Sequence, residues 1–477
     1  SDTMAVIFEK SAPGRNSYLV PCPDIPAGEP IPAALLRDGL DLPNVSEVDV
    51  VRHYTALSRL NFGVDAGMYP LGSCTMKYNP KVNERLAARD GFTMLHPLAP
   101  AGMTQGALSL MHELASYLCE ITGMAGFSLQ PAAGAHGELA GVMIIRKYFE
   151  SRKEKRPLVL IPDSAHGTNP ASVAMCGFQV KEVPSTPEGD VDINALRGMV
   201  DDSVAAMMLT SPNTLGLFDR NIHLIADILH EKGALFYCDG ANLNAIMGKA
   251  RVADMGFDLM HVNLHKTFST PHGGGGPGAG PVGVVRKLES FLPVPIIGRK
   301  DDRYYLDYER PHSIGRIHSF YGNFLILVRA YIYIIMLGPA GIAHVSEQAV
   351  LNANYLMARL KKEFHLPVER ICKHEFVLSD KGMPGGVTTN DIAKRILDRG
   401  FHSPTVYFPL LIPGAIMIEP TETECRETLD AFADAMISIR REAESDPETV
   451  KSAPHTTPVR RVDAVLAARK PVLTWQK

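Results

Sequence analysis

The chain is expected to be an α/β protein with a mixed, mainly parallel sheet, and three observations agree on this. Between Gln105 and Arg286, short apolar runs of strand length alternate with amphipathic stretches of helix length. The runs Leu158-Val-Leu-Ile161, Ala205 to Leu209 and Ala234 to Cys238 are almost unbroken by polar residues, as suits strands covered on both faces. Each run ends in a cluster of turn formers and polar residues, and in such sheets ligands gather outside the carboxyl ends of the strands.

The elements follow in order. Residues 1–45 are proline-rich and predict an extended arm lying on a larger surface. A capping-box start, Ser46-x-x-Asp49, opens a helix to about Leu60. The turn-forming loop Tyr69 to Lys77 precedes another helix from Pro80, and Thr104 to Thr122 is amphipathic and helical. Phe127 to Gln130 is strand-like; after Pro131 the chain turns at Gly134-Ala-His-Gly137 into a helix with Leu139, Val142 and Met143 on one face. Ile222, Ile225 and Leu229 line a helix closed by Gly233. The apolar run Phe324 to Leu337 carries Arg329 and, at 14 residues, is too short to span a bilayer comfortably. It predicts a buried core helix, with more helix over residues 345–364. Strand, helix, strand and helix are then expected at 374–378, 389–399, 416–419 and 424–442, a smaller α+β domain with a proline-containing tail. The expected division is 1–90 as arm and partner-contacting helices, 91–330 as the large domain and 331–477 as the small one.

Composition narrows the function. With 477 residues, 45% hydrophobic and 21% charged, the chain suits a soluble globular enzyme of more than one domain. A formal net charge of -4 gives no reason to expect nucleic acid or an anionic membrane. The seven cysteines have no C-x-x-C pair or metal-ligand spacing, so reduced thiols, a cytoplasmic location and no structural metal are expected. Residues 1–30 contain five prolines and no apolar stretch of the secretory kind.

Four groups of residues could carry chemistry. The half-apolar segment Asp258 to His265 delivers Lys266 at a strand's end, with Asn263 and His265 beside it and the glycines 273–276 just beyond. A lysine sheltered in this way becomes nucleophilic, although His-Lys alone is most often a surface lysine. Asp239 ends an apolar strand 27 residues earlier; a carboxylate buried there needs a partner, for which a pyridinium nitrogen is suited, whereas helix capping is the plainer reading. His166, in Asp163-Ser-Ala-His-Gly-Thr168, could stack on a cofactor ring or be an ordinary loop histidine. Gly134, Ala135 and His136 open a helix whose free N–H groups could hold a phosphate. The glycine tract lacks the spacing of a mononucleotide-binding loop, which counts against a nucleotide-binding module.

Four motifs then make the chain recognisable: Pro70-Leu-Gly-Ser-Cys-Thr-Met-Lys77, Asp163-Ser-Ala-His-Gly-Thr-Asn-Pro-Ala-Ser172, Asp239-Gly-Ala-Asn242, and Asn263-Leu-His-Lys-Thr-Phe268 followed by Pro271-His-Gly-Gly-Gly-Gly-Pro-Gly278. In this order they closely resemble the glycine decarboxylase (P protein) family of the glycine cleavage system, over roughly residues 45–460. The length resembles the second subunit of its two-chain form. The resemblance implies a fold type I pyridoxal-phosphate-dependent transferase with pyridoxal 5'-phosphate held covalently by Lys266. It also implies Asp239 facing the pyridine nitrogen and His166 stacked on the ring. Further cofactor contacts are expected from Gly134, Ala135, His136, Thr168, Ser211, Thr214, Asn263 and His265, the backbone mattering more than the imidazole at His136. Glycine would be decarboxylated and its aminomethyl group passed to the lipoyl arm of the lipoyl-carrier (H) protein. A homologous subunit 1 would complete a heterotetramer with two copies of each chain. Loop 70–77 and Asn323 are expected to help orient the substrate. The competing readings are an aminotransferase or cysteine-desulfurase-like enzyme using the same lysine, and a partner-binding subunit that has lost the chemistry.

Overall fold

The computed structural model describes residues 5–15, 24, 28–29, 31–273 and 276–475. Residues 1–4, most of 16–30 including Cys22, Gly274 and Gly275 of the glycine tract, and 476–477 lie outside the described residues. Contacts divide the chain into two units, Met68–Lys451 and a smaller one formed by Ser1–Gly67 with Ser452–Lys477.

The larger unit is built on seven strands: β1 (Gly126–Ser128), β2 (Leu158–Pro162), β3 (Gln179–Val183), β4 (Val204–Thr210), β5 (Leu235–Asp239), β6 (Leu259–His261) and β7 (Val282–Val284). Their order is β1-β7-β6-β5-β4-β2-β3. β3, β2, β4, β5 and β6 run parallel to one another, and β7 is antiparallel to both β6 and β1. The apolar runs explain the burial. Successive side chains of a strand face opposite ways, so in β5 Phe236 and Cys238 enter the core on one face while Leu235 and Tyr237 enter the core on the other. Phe236 stacks on Phe257 at 3.9 Å, and burying one such side chain contributes about 2–3 kcal/mol. Helix Gly134–Ser151 covers one face, lying close because a Cβ on Gly141 would meet the Tyr237 ring at 2.3 Å.

Two expected helices are one. Residues Phe324–Leu360 form a single helical run, interrupted at Gly338 (φ 62°) before Pro339, whose ring cannot continue the helical ladder. The run is long and apolar enough to cross a membrane, yet Ile326, Leu327, Val328 and Ala330 belong to the main core. A hairpin, β8 (Ile296–Lys300) with β9 (Arg303–Asp307), follows the large sheet. Beyond the long helix, β10 (Phe376–Ser379), β12 (Ala415–Ile418) and β11 (Thr405–Val406) form a small antiparallel sheet covered by helices Thr389–Asp398 and Arg426–Ser445.

One local expectation needs correction. Lys266 does not end a strand: β6 stops at His261, and Lys266 sits in the helical turn Leu264–Thr267. The Asn263 carbonyl closes that turn by accepting the Lys266 and Thr267 N–H groups at 3.1 and 3.2 Å.

The smaller unit contains helix Glu47–Ser58, started by the expected capping box: Ser46 Oγ accepts from Asp49 N, and Asp49 Oδ2 accepts from Ser46 N. Phe8 stacks on Trp475 at 5.0 Å, bringing the two terminal regions together.

Loop 70–77 is tied to the small sheet and to the Lys266 turn. Leu71 bridges Ile418, and the buried Lys77 ammonium donates to Glu422 Oε1 (2.8 Å), Asn244 Oδ1 (2.7 Å) and Thr267 O (2.9 Å). Burial alone would lower the Lys77 pKa, but Glu422 outweighs it and holds the lysine charged. Lys77→Met leaves the Glu422 carboxylate buried without its cation, which costs about 3–5 kcal/mol. Urea unfolding is expected to register this loss, and Lys77→Met with Glu422→Met to recover most of it. An unchanged single variant would contradict the account.

Candidate active site

The carboxyl ends of β2, β4, β5 and β6 open on one cavity of about 420 Å³, closed on its other side by loop 70–77 and residues of the small sheet. Of the residues expected to form a site, Lys266, Asp239, His166, Gly134, Ala135, Thr168, Thr214, Asn263 and His265 line it. His136 and Ser211 do not. The His136 imidazole turns back to accept the Ala132 N–H at 3.3 Å, and Ser211 Oγ is buried beside the cavity without a hydrogen-bond partner.

Asp239 is set by β5. Its side chain is buried, accepting from Asn169 Nδ2 at 3.0 Å and Ala241 N–H at 3.1 Å, with His261 Nε2 at 3.5 Å. Burial would raise its pKa, but His261 and these hydrogen bonds outweigh burial and keep it below the usual carboxylate value. The neighbouring Glu138 goes the other way. Burial, then the charge of Asp239, push it up to about 8, so this acid is neutral at pH 7 beside an ionised one. Asn169 bridges them, donating from the same Nδ2 to Glu138 Oε2 at 3.0 Å.

The helix from Gly134 begins without a side-chain cap, so its first-turn N–H groups keep their capacity to bind an anion. The approach is close: a Cβ on Gly134 would strike the Asn263 amide at 2.5 Å, and one on Gly280 the Ala133 carbonyl at 2.2 Å. His166 is exposed, its Nδ1 engaged by the Thr168 N–H at 3.2 Å, and burial of its surroundings holds its pKa below the usual value. His265 is pushed down to about 3, by burial first and then by the nearby Lys266. These imidazoles are therefore neutral at pH 7. Thr214 Oγ1 donates to Ser164 O at 2.6 Å. Asn323 lies outside this cavity, its amide donating to Gly278 O at 2.5 Å, so it braces the glycine tract.

Sequence reasoning missed half of the wall. Glu138 follows the glycine turn by one residue and faces inward one helical turn later, a signal readable from the period. Thr405 of the small sheet and the flanking His374, Glu375 and Phe408 also line it, and nothing in their local pattern announces the approach.

A flat, doubly ended ligand with an anionic group fits these donors. A buried carboxylate stands at one end and open helix amides at another, and Asn263 Oδ1, His265 Nδ1 and His272 Nδ1 are buried without partners. The strand order, the lysine turn after β6 and the aspartate at β5 define the fold type I class of pyridoxal-phosphate-dependent enzymes.

Comparison with known proteins agrees. Residues 136–284 match the family "Aminotransferase class-V", and residues 345–460 match "Glycine dehydrogenase, C-terminal domain". A glycine decarboxylase (P-protein) crystal structure shares the fold with TM-score 0.73 at 21% identity, over 86% of this chain and 93% of that one. Lactobacillus brevis glutamate decarboxylase shares it with TM-score 0.67 at 14% identity, over 86% and 96%. "Probable glycine dehydrogenase (decarboxylating) subunit 2" of Caldanaerobacter subterraneus is 58% identical across 99% of both chains. Its namesake in Listeria monocytogenes is 56% identical across 100% of this chain and 99% of that one. The chain belongs to the glycine dehydrogenase (decarboxylating) subunit 2 family.

The Glu138–Asp239 pair has a pH signature. Folded, Glu138 keeps its proton to about pH 8; its ordinary value is 4.5. Between those values the folded state binds the extra proton, so this group makes stability fall as pH rises. Glu138→Gln cannot titrate. The melting temperature of the cofactor-free variant minus that of the parent is expected to grow from about pH 5 to about pH 8. A difference independent of pH would refute the assignment.

Proposed function

We propose that the chain is the cofactor-bearing subunit of a glycine decarboxylase. It binds pyridoxal 5'-phosphate through Lys266, releases CO2 from glycine and passes the aminomethyl group to the lipoyl arm of the H protein. The observation that carries this reading is the shared cavity of Lys266 and an ionised, buried Asp239, in a chain 58% identical to a protein named for that activity.

Bound pyridoxal phosphate supplies a protonated pyridine ring able to accept the electron pair left when a carboxylate departs. The chain's residues account for the rest. Lys266 would hold the cofactor through its side-chain amine. Asp239, anionic and hydrogen-bonded, keeps a proton on the ring nitrogen. Glu138 beside it stays neutral, so Asp239 alone supplies the negative charge there. The Gly134–Ala135 amides hold the phosphate, and His166 covers the ring. Loop 70–77, through Gly72, Ser73 and Cys74, lines the cavity that Lys266 also lines, and would orient the substrate carboxylate, a positioning task.

The partner reading has its own support. In the smaller unit Leu35, Leu40, Leu42, Val51, Tyr54, Val462, Val465 and Leu473 are all exposed, more apolar surface than a free arm keeps in water. A homologous subunit 1 covering this arm, in a heterotetramer, accounts for it. Free thiols at all six described cysteines suit the cytoplasm.

Lys266→Ala is expected to abolish exchange of labelled bicarbonate into the glycine carboxyl group; exchange at the parent rate would refute the role. Asp239→Asn should load cofactor and lose most of the rate, and normal turnover would refute the ring-nitrogen assignment. For assembly, sedimentation of the lone chain should reveal self-association or aggregation that the homologous subunit relieves. A monodisperse, fully active monomer would count against an obligate partner.

A further inference from the structure

Two buried glutamates outside the Asp239 cluster are unexplained by the roles above. Phe376 of β10 pairs directly with Ile418 of β12 in an antiparallel register, which sets Glu375 opposite Glu419, each one residue beyond the ladder. Both are buried, and their carboxyl oxygens lie within 4.8 Å of one another and of His374. Like charges placed directly across a sheet repel, and two buried carboxyl groups this close do not both ionise. The pair therefore holds one proton.

The loop that narrows the cavity is built around this pair. Ser73 and Thr75 adopt positive φ values of 67° and 49°, a costly conformation for residues with a Cβ. In that conformation Ser73 N–H donates to Glu375 Oε2 at 2.7 Å and Thr75 N–H to Glu419 Oε2 at 3.0 Å. Glu419 Oε1 also accepts from Thr75 Oγ1 at 2.7 Å and Asn242 Nδ2 at 3.0 Å. Glu419 is thus the better-solvated partner and the natural seat of the negative charge. Glu375 has fewer donors, lines the same cavity as Lys266, and keeps the proton.

The proposed reaction needs such a proton. Glycine and a lipoyl disulfide give CO2, an aminomethyl thioether and a thiol. The C–C bond to the carboxylate breaks, and its electron pair forms the new C–S bond. The S–S bond breaks, and its pair stays on the second sulfur, which must gain one proton. The neutral imidazoles are poor sources. Glu138 is tied through Asn169 to Asp239, at the ring-nitrogen end, whereas Glu375 stands on the loop 70–77 wall, bonded to Ser73; Lys266 acts on both acids. In pyridoxal phosphate the carbon bound by lysine lies opposite the ring nitrogen, so the acid on the wall away from Asp239, Glu375, is the one on the side of the reacting carbon.

We propose that Glu375, holding the proton of the Glu375–Glu419 pair, is the acid that protonates the sulfur released when a lipoyl disulfide opens at this site. It rests on the glycine decarboxylase reading and names its proton donor. The Glu375 carboxylate left behind is stabilised by the Ser73 N–H and regains a proton from solvent before the next turnover. Burial first, and then Glu419, push Glu375 up to about 8. The other titratable groups facing it are Cys74 from loop 70–77, Cys372 and His374 on its own segment, and Lys266.

The test uses the full-length chain with its partner subunit and free lipoamide as acceptor. Glu375→Gln, isosteric with the neutral acid, should load cofactor normally. It should lower aminomethyl transfer by about a hundredfold and abolish the alkaline fall in rate near pH 8. Glu419→Gln removes the like neighbour, so that fall should move to lower pH. Independently of turnover, infrared difference spectra of the cofactor-free chain should lose one neutral-carboxyl band in Glu375→Gln. Transfer within threefold of the parent, or an unchanged carboxyl band, would overturn the proposal alone. A parent enzyme that loads cofactor and leaves glycine unreacted would overturn the decarboxylase reading, and this one with it.

Discussion

The site depends on a charge kept where charge is costly. An ionised carboxylate buried at the end of a central strand is unstable unless neighbours compensate it. Asp239 has that compensation from Asn169, the Ala241 N–H and the nearby His261. The fold's topology supplies these partners, because β2, β5 and β6 end at one edge and the loops beyond them converge there. With Asp239 anionic, Glu138 is driven neutral, and the cavity is ready for a cationic ring nitrogen.

The same logic recurs on the opposite wall. Two glutamates facing each other across the small sheet share one proton, and their oxygens hold the strained loop that narrows the cavity. A carboxyl pair thus serves structure and chemistry together. Lys77, at the far end of that loop, is anchored separately by Glu422, so loop position does not rest on the catalytic pair alone.

The large sheet was legible because its inner strands are unbroken apolar runs; β2, β4 and β5 lie within a residue or so of where their sequences put them. β3 was not anticipated. It is a mostly exposed edge strand, Gln179–Val183, without an apolar run. β7 is three residues long and flanked by glycine and proline, too short for periodicity to register. Lys266, Asp239 and His166 stood out by their motif order, and the structure brings all three to one cavity, although only Asp239 ends a strand. Glu375 and Glu419 did not stand out, because their meaning comes from pairing across a sheet between segments over forty residues apart. At His136 the expectation was of a backbone contact rather than an imidazole one, and its ring folds back onto its own turn.

The central claim is that Asp239 maintains a positive charge on the cofactor's ring nitrogen. Nuclear magnetic resonance of the full-length chain loaded with pyridoxal phosphate isotopically labelled at that nitrogen tests it most directly. The account expects the shift of a protonated pyridinium at neutral pH in the parent, replaced by that of a neutral pyridine in Asp239→Asn. A neutral-pyridine signal in the parent would contradict it.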